Sequence, residues 1–422
     1  MAIEIHEKRR PQLVSAIAKS LGEVRVGMGV YVTESTLLGL KSAESVLVSE
    51  LPLLQGIIGQ SPIARYVRGH LNERLERARS FDMDADEALI DIPELPSLKT
   101  LAEEIVQGIE ALPLPFSFSF ALSDFLNDCL QNGGPWPSGP NLQVSKGPIY
   151  HAAYPLEQVG GRPDPFMIGL DRIVGAPLPK EQHAHMTFLG TGFVHRMNEP
   201  SPLHDAADHT IRSFFGLAMV YGGVRYRTRY GQPAHVDVYV HSCAQGQPGR
   251  PEQKYALNTS TSKILQGLEF ARPIDTSDRW NTWPGHIGDV VQKASEVLAH
   301  KNGERLVRAA RWYFDSFGAD SVLMQYLQAM ICLEILLGDP LKKAQELSVG
   351  ATLKNRCAYL IGRDFNEREE ILTKLGQIYE VRSNIVHNGE GRSTGNEARL
   401  LWTLRGYCAR VIRAEADRLG PA

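Results

Sequence analysis

The sequence predicts an α+β protein in which a mixed α/β N-terminal region is followed by an all-helical C-terminal third. Three observations carry this. A chain of 422 residues is too long for one ordinary core, so more than one folding unit is expected. Hydrophobic residues make up 43% of it and charged residues 22%, the balance of a globular chain. From Ile287 to Leu419 apolar residues recur at helical spacing, whereas upstream short period-two runs are separated by turn signals.

Pro11 in a first turn and Gly22 as a terminator predict a helix over 11–21. Val24 to Val32 reads as a strand or a turn softened by Gly27 and Gly29. Gly27-Met28-Gly29 lacks the third glycine and following helix of a phosphate loop, so a tight turn is expected. A helix over 61–80 carries Arg65, Arg68, Arg74, Arg77 and Arg79, with Glu73 and Glu76 balancing them. That pattern is a solvated face rather than a nucleic-acid surface. Phe116, Phe118 and Phe120 alternate with serines as in a strand, and a helix is expected near 122–130. The Gly-Gly-Pro-Trp-Pro-Ser-Gly-Pro stretch at 133–140 is the clearest loop. Beyond it a strand is expected at Met186–Val194, a helix at Leu203–Tyr221, and strands at Val236–His241 and Tyr255–Thr259. The resulting regions are 1–140 (α-rich), 141–285 (mixed α/β) and 286–422 (helical).

A formal net charge of −3 argues against coating nucleic acid through bulk charge. From Lys301 onward, 18 Lys and Arg stand against 15 Asp and Glu, so the helical part is mildly basic. The five cysteines are scattered without a Cys-x-x-Cys spacing. They read as reduced thiols of a cytoplasmic protein, not as a disulfide or zinc framework. Cys332, Cys357 and Cys408 sit beside apolar helical positions and are expected to be buried. No apolar run suggests a signal peptide or a membrane span.

In the helical third, two charges fall where an apolar stripe should continue. Leu323, Leu327 and Met330 are followed by Glu334; Ile371, Leu375 and Ile378 are followed by Arg382. Helical spacing aims both inward, where an unpaired ion is costly. Arg356, on the stripe Leu353, Cys357, Leu360, is a second inward cation. Glu334 is therefore expected to meet Arg382, Arg356 or both; taken alone, a purely structural ion pair is the plainer explanation. His387 follows Arg382 by five residues, about 140° further round a helix. Asn388 and Gly389 then form a typical helix ending, where the dipole favours the imidazolium. A lone histidine there is often only structural, but a fixed cation and a titrating group beside one helix end also suit a phosphodiester.

The stretch Arg382-Ser383-Asn384-Ile385-Val386-His387-Asn388-Gly389 resembles the R-x4-H signature of HEPN domains. Leu-Glu-Ile-Leu-Leu-Gly (333–338), Leu-Lys-Asn-Arg-Cys-Ala-Tyr-Leu (353–360) and Ile-Tyr-Glu-Val-Arg-Ser (378–383) add to the likeness. It is closest to the Apea-like HEPN branch of prokaryotic anti-phage and toxin-like proteins, and covers roughly 287–420. The resemblance implies a metal-independent endoribonuclease without a cofactor, acting as a homodimer whose two motifs line one cleft. The 2′-OH of RNA attacks the adjacent phosphate, leaving a cyclic phosphate and a 5′-OH. In that chemistry His387 is general acid or base and Arg382 stabilises charge on the phosphate. Glu334 orients Arg382, Arg356 lies nearby, and Asn384 and Asn388 supply polar contacts. Ser383 stands where many members carry Asn, Asp or His; some HEPN domains only bind RNA or a partner. By the same analogy residues 1–285 form a sensing or regulatory part that answers a phage or host protein.

His204, Asp205, Asp208 and His209 have the spacing of metal ligands, since His204/Asp208 and Asp205/His209 are i, i+4 pairs. Carboxylates at a helix start are favoured by the dipole, which is the plainer expectation; His183 and His185 point no more strongly to a metal.

Overall fold

Pro11 occupies the first turn of α1 (Arg10–Leu21), where its missing N–H removes no helical bond, and Leu13, Ile17 and Leu21 form the buried stripe. The computed structural model describes residues 3–122, 141–156, 183–194, 200–228, 235–243, 249–271, 283–338, 349–388 and 395–420. The expected helix near 122–130 only touches their edge and the loop expected at 133–140 lies outside them, while the boundary expected at 285/286 falls inside a helix over Trp283–Ala299.

β1 (Arg25–Gly27) and β2 (Tyr31–Val32) form a hairpin. Met28 at φ 54° and Gly29 at φ 74° make the tight turn between them. Then come α2 (Lys41–Glu44), α3 (Leu51–Ile58), α4 (Pro62–Ala78), β3 (Asp86–Ala88) and α5 (Leu98–Glu110). β3 completes a three-stranded antiparallel sheet with β1 at its centre. Leu13, Ile17, Val67, Leu71, Ile105 and Ile109 belong to one core that ends at Leu112 and takes in only Phe193 from beyond. Carboxylates from other elements meet these arginines more than the expected Glu73 and Glu76 do: Arg74 pairs with Glu104 at 2.6 Å and Arg79, just past α4, with Glu87 and Glu94, while Arg77 pairs with Glu73.

The next unit is a five-stranded antiparallel sheet in the order β5-β6-β4-β8-β9. Its strands are β4 (Leu114–Ala121), β5 (Leu142–Ser145), β6 (His185–Gly192), β8 (Asp237–Ser242) and β9 (Arg250–Ala256). β4 precedes residues 133–140 yet pairs with β6 and β8, so strand pairing joins what the boundary expected there separates in sequence. β9 ends before the predicted Tyr255–Thr259 strand does. Asn258 caps the helix starting at Thr259 by accepting the Thr261 N–H at 2.8 Å.

The phenylalanines of β4 pack with Phe188, Phe214 and Phe215. Ser117 and Ser119 on the other face are equally buried, because α6 (Gly147–Ala153) covers that side with Tyr150. Ser119 pairs with Thr187 at 3.0 Å, and Tyr150 stacks on His185 with centroids 3.8 Å apart. α7 (Pro202–Val220) lies on the apolar face. β7 (Val224–Tyr226), α8 (Thr259–Gly267) and β10 (Leu268–Phe270) complete the region, β7 pairing with β10.

The C-terminal part is helical: α9 (Trp283–Ala299), α10 (Glu304–Asp315), α11 (Val322–Leu337), α12 (Val349–Ile361), α13 (Phe365–Asn388) and α14 (Gly395–Ala416). α10 packs on both α7 and α11, while α14 packs on α10, α11 and α12. One continuous core runs from Phe116 of the sheet through α7 to Ile412 of α14. The fold is therefore α+β with a helical C-terminal part. Among the described residues no helix is long and apolar enough to cross a membrane.

Candidate active site

α11 and α13 supply the predicted site. Two cross-links set their register: the Tyr326 hydroxyl donates to the Ile378 carbonyl at 3.0 Å, and further along Arg382 Nη2 meets Glu334 Oε1 at 3.6 Å. Residue numbers rise together on both helices, so the two run in the same direction.

The pair is not deeply buried, contrary to the inward placement that the spacing predicts. Arg382 and Glu334 keep 35% and 32% of their side-chain surface exposed. The buried row of α11 is Leu323, Tyr326, Met330, Leu333 and Leu337, with Leu327 only half-buried. Glu334 follows Leu333 by one residue, 100° round the helix, and so stands on the flank of that row. Arg382 similarly continues Ile371, Leu375 and Ile378 out of the core rather than into it.

Arg356 departs further from the expected inward position. It is exposed, and its Nη1 donates to the Leu337 carbonyl at 2.8 Å. The buried positions of α12 are Leu353, Cys357, Ala358 and Ile361, which leaves Arg356 on the rim. There it satisfies a carbonyl at the end of α11 that no helical N–H can reach.

Ser383 is exposed and Asn384 half-buried on the turn after Arg382. The backbones of His387 and Asn388 lie in the last turn of α13, and their side chains are outside what the structure describes, as is the chain from 389 to 394. The helix thus carries Arg382 and His387 one after the other toward the same end, with Val386 half-exposed beside the histidine.

Tyr379 was not singled out by its sequence position, although it precedes Arg382 by three residues and so shares its helical face. Its ring packs on α12 at Gly350, where an added Cβ would come within 3.3 Å of it. Its hydroxyl is buried without a hydrogen-bond partner among the described residues. Burial first, then the Glu334 carboxylate, push the phenol's pKa up, while Arg382 opposes the shift.

The alternative ligands on α7 are committed elsewhere. The Ser201 N–H donates to His204 Nδ1 at 3.2 Å, which leaves Nε2 to donate to Gln253 Oε1 at 2.9 Å. Asp208 pairs with Arg212 at 2.6 Å, and Asp205 and His209 are exposed. Among the described residues no group of three or more His, Cys, Asp or Glu is arranged to hold a metal ion. Of the cysteines, Cys332, Cys357 and Cys408 are buried and Cys243 is half-buried.

No protein-family model, no curated protein and no solved structure matches the chain.

Proposed function

We propose that the chain is a metal-independent endoribonuclease of HEPN type, serving as an anti-phage or toxin-like effector and working as a homodimer through its helical part. The single observation that carries this is the Arg382–Glu334 pair on α13 and α11, with His387 closing the same helix. An arginine held at the edge of a core by a carboxylate has its planar donors aimed but not sealed away, which suits a phosphate oxygen. A histidine in the last helical turn is placed for proton transfer at the helix end.

In this reading the 2′-OH loses its proton to a base as its oxygen attacks phosphorus. The P–O5′ bond breaks, and the departing oxygen takes up a proton to leave as a 5′-OH. His387 serves one of the two proton transfers; its counterpart in a second copy is available for the other. Arg382 neutralises charge on the non-bridging oxygens.

The test is cleavage of RNA by the purified full-length chain in EDTA. Arg382→Ala and His387→Ala are each expected to lower the rate at least ~100-fold. Cleavage by both variants at the wild-type rate rejects the proposal. A second reading, a HEPN module that binds RNA or dimerises without cutting, is favoured by the exposed Ser383 after the arginine. It predicts an RNA gel shift without cleavage that His387→Ala leaves unchanged.

A further inference from the structure

We infer that Tyr379 is a positioning residue of the Arg382 site, its hydroxyl receiving the Glu334 carboxylate when Arg382 turns to a phosphate. This rests on the ribonuclease reading above.

Three observations meet here. Tyr379 is on the Arg382 face of α13, three residues before it. Its ring is fixed against Gly350, where anything larger than hydrogen comes within 3.3 Å of the ring, so the hydroxyl has little freedom to swing away. That hydroxyl is buried and has no hydrogen-bond partner among the described residues. A buried O–H left unmade costs about 1–3 kcal/mol, so this one calls for a partner.

The neighbouring ion pair supplies that partner. At 3.6 Å, Arg382 and Glu334 are further apart than the roughly 2.7–2.9 Å of a tight charge-assisted hydrogen bond. The guanidinium is therefore easily drawn to a doubly oxygenated anion. Once it moves, the half-buried carboxylate of Glu334 would lose the cation paired with it among the described residues. The Tyr379 phenol, near enough for that carboxylate to help raise its pKa, then donates to it: one donor leaves Glu334 as another arrives. Glu334 is thereby held where the guanidinium can return to it once the product leaves, which keeps the site preorganised for the next turnover.

The experiment compares full-length wild type, Tyr379→Phe, Glu334→Gln and the double variant. Tyr379→Phe is expected to leave the melting temperature unchanged or slightly raised, since the lost hydroxyl had no partner. The same variant is expected to lower kcat roughly tenfold or more with KM within about twofold. The double variant should be no slower than Glu334→Gln alone, because the tyrosine acts through the glutamate. A wild-type kcat in Tyr379→Phe, a clear fall in its melting temperature, or additive losses in the double variant each overturn the inference while leaving the nuclease intact. Wild-type protein that does not cleave is tested instead with a 2′-deoxy oligonucleotide of the same sequence. Loss in Tyr379→Phe of the thermal stabilisation that this oligonucleotide gives the wild type supports the role of the hydroxyl. Equal stabilisation of both, or of neither, overturns it, and the absence of cleavage by itself removes the nuclease reading.

Discussion

The chain has two seams between its parts, and they are built differently. Between the first core (3–112) and the sheet, the described contacts include Tyr66 against Phe193, with centroids 5.5 Å apart, and the exposed pair Arg250–Glu73 at 2.9 Å. Between the sheet and the helical bundle there is no break in the core at all. α7 and α10 approach so closely that a Cβ on Gly216 would overlap the Ala310 carbonyl. Arg212 bridges Asp208 at 2.6 Å and Asp315 at 3.0 Å across the same contact. Exposed pairs add little, whereas backbone packing and a shared core make two elements fold together. The lesson is that the sheet and the bundle form one cooperative body, with the N-terminal unit attached to it. A regulatory movement is easier to build at the first seam than at the second.

Acidification should separate the two bodies most strongly. In the sheet, burial above all drives the pKa of His185 down to about 3 and that of His241 to about 4. Both are neutral in the fold, and each donates its one N–H to a carbonyl, His183 and Pro155 respectively. Below the unfolded value of about 6.5 the unfolded chain takes up protons that the folded chain refuses, so stability falls as pH falls. Between pH 6.5 and 5 the loss is about 2 kcal/mol for each histidine. The N-terminal unit carries His70, also lowered chiefly by burial, as its counterpart. Urea unfolding should therefore show the sheet-and-bundle transition shifting further with pH than the N-terminal one; equal shifts would remove the distinction.

Gly216→Val attacks the tight seam directly. Its side chain meets backbone rather than a movable side-chain end, so a loss of roughly 3 kcal/mol is expected in denaturant unfolding. Arg212→Ala removes the cation paired with Asp315 at 3.0 Å and leaves Arg311 nearby, and burial already pushes that carboxyl's pKa up. A loss of about 2 kcal/mol is expected, below the range for fully buried pairs. A change under about 0.5 kcal/mol would show that the bridge is not part of the seam. The smallest effect lies in the other body: Gly56 in α3 has open space around its Cβ position. Gly56→Ala should stabilise the N-terminal transition by about 0.5–1 kcal/mol and leave the other unmoved.

Much of the fold was legible because helical periodicity survives any tertiary arrangement. Pro11 and Gly22 mark α1 to within a residue of its observed bounds, and the helical spacing from Ile287 to Leu419 covers the stretch that holds α9 to α14. The seams were not legible, since composition marks loops and not partners. Residues 133–140 look like a boundary, yet β4 before them pairs with β6 after them. Ser117 and Ser119 look like a solvent-facing row, yet α6 buries them. At the candidate site, spacing brought Glu334 and Arg382 to one place but could not distinguish the centre of an apolar row from its flank. A difference of one residue turns a side chain by 100°, enough to leave Arg356 exposed and the ion pair half-exposed. Tyr379 was visible as a position three before the arginine, but its unmade hydrogen bond exists only in three dimensions.

The proposed chemistry is tested most directly by the ends it leaves on RNA. Full-length protein incubated with RNA in EDTA should yield 2′,3′-cyclic phosphate and 5′-OH termini that vanish in His387→Ala. Products bearing 5′-phosphates, or cleavage that EDTA abolishes, would contradict it.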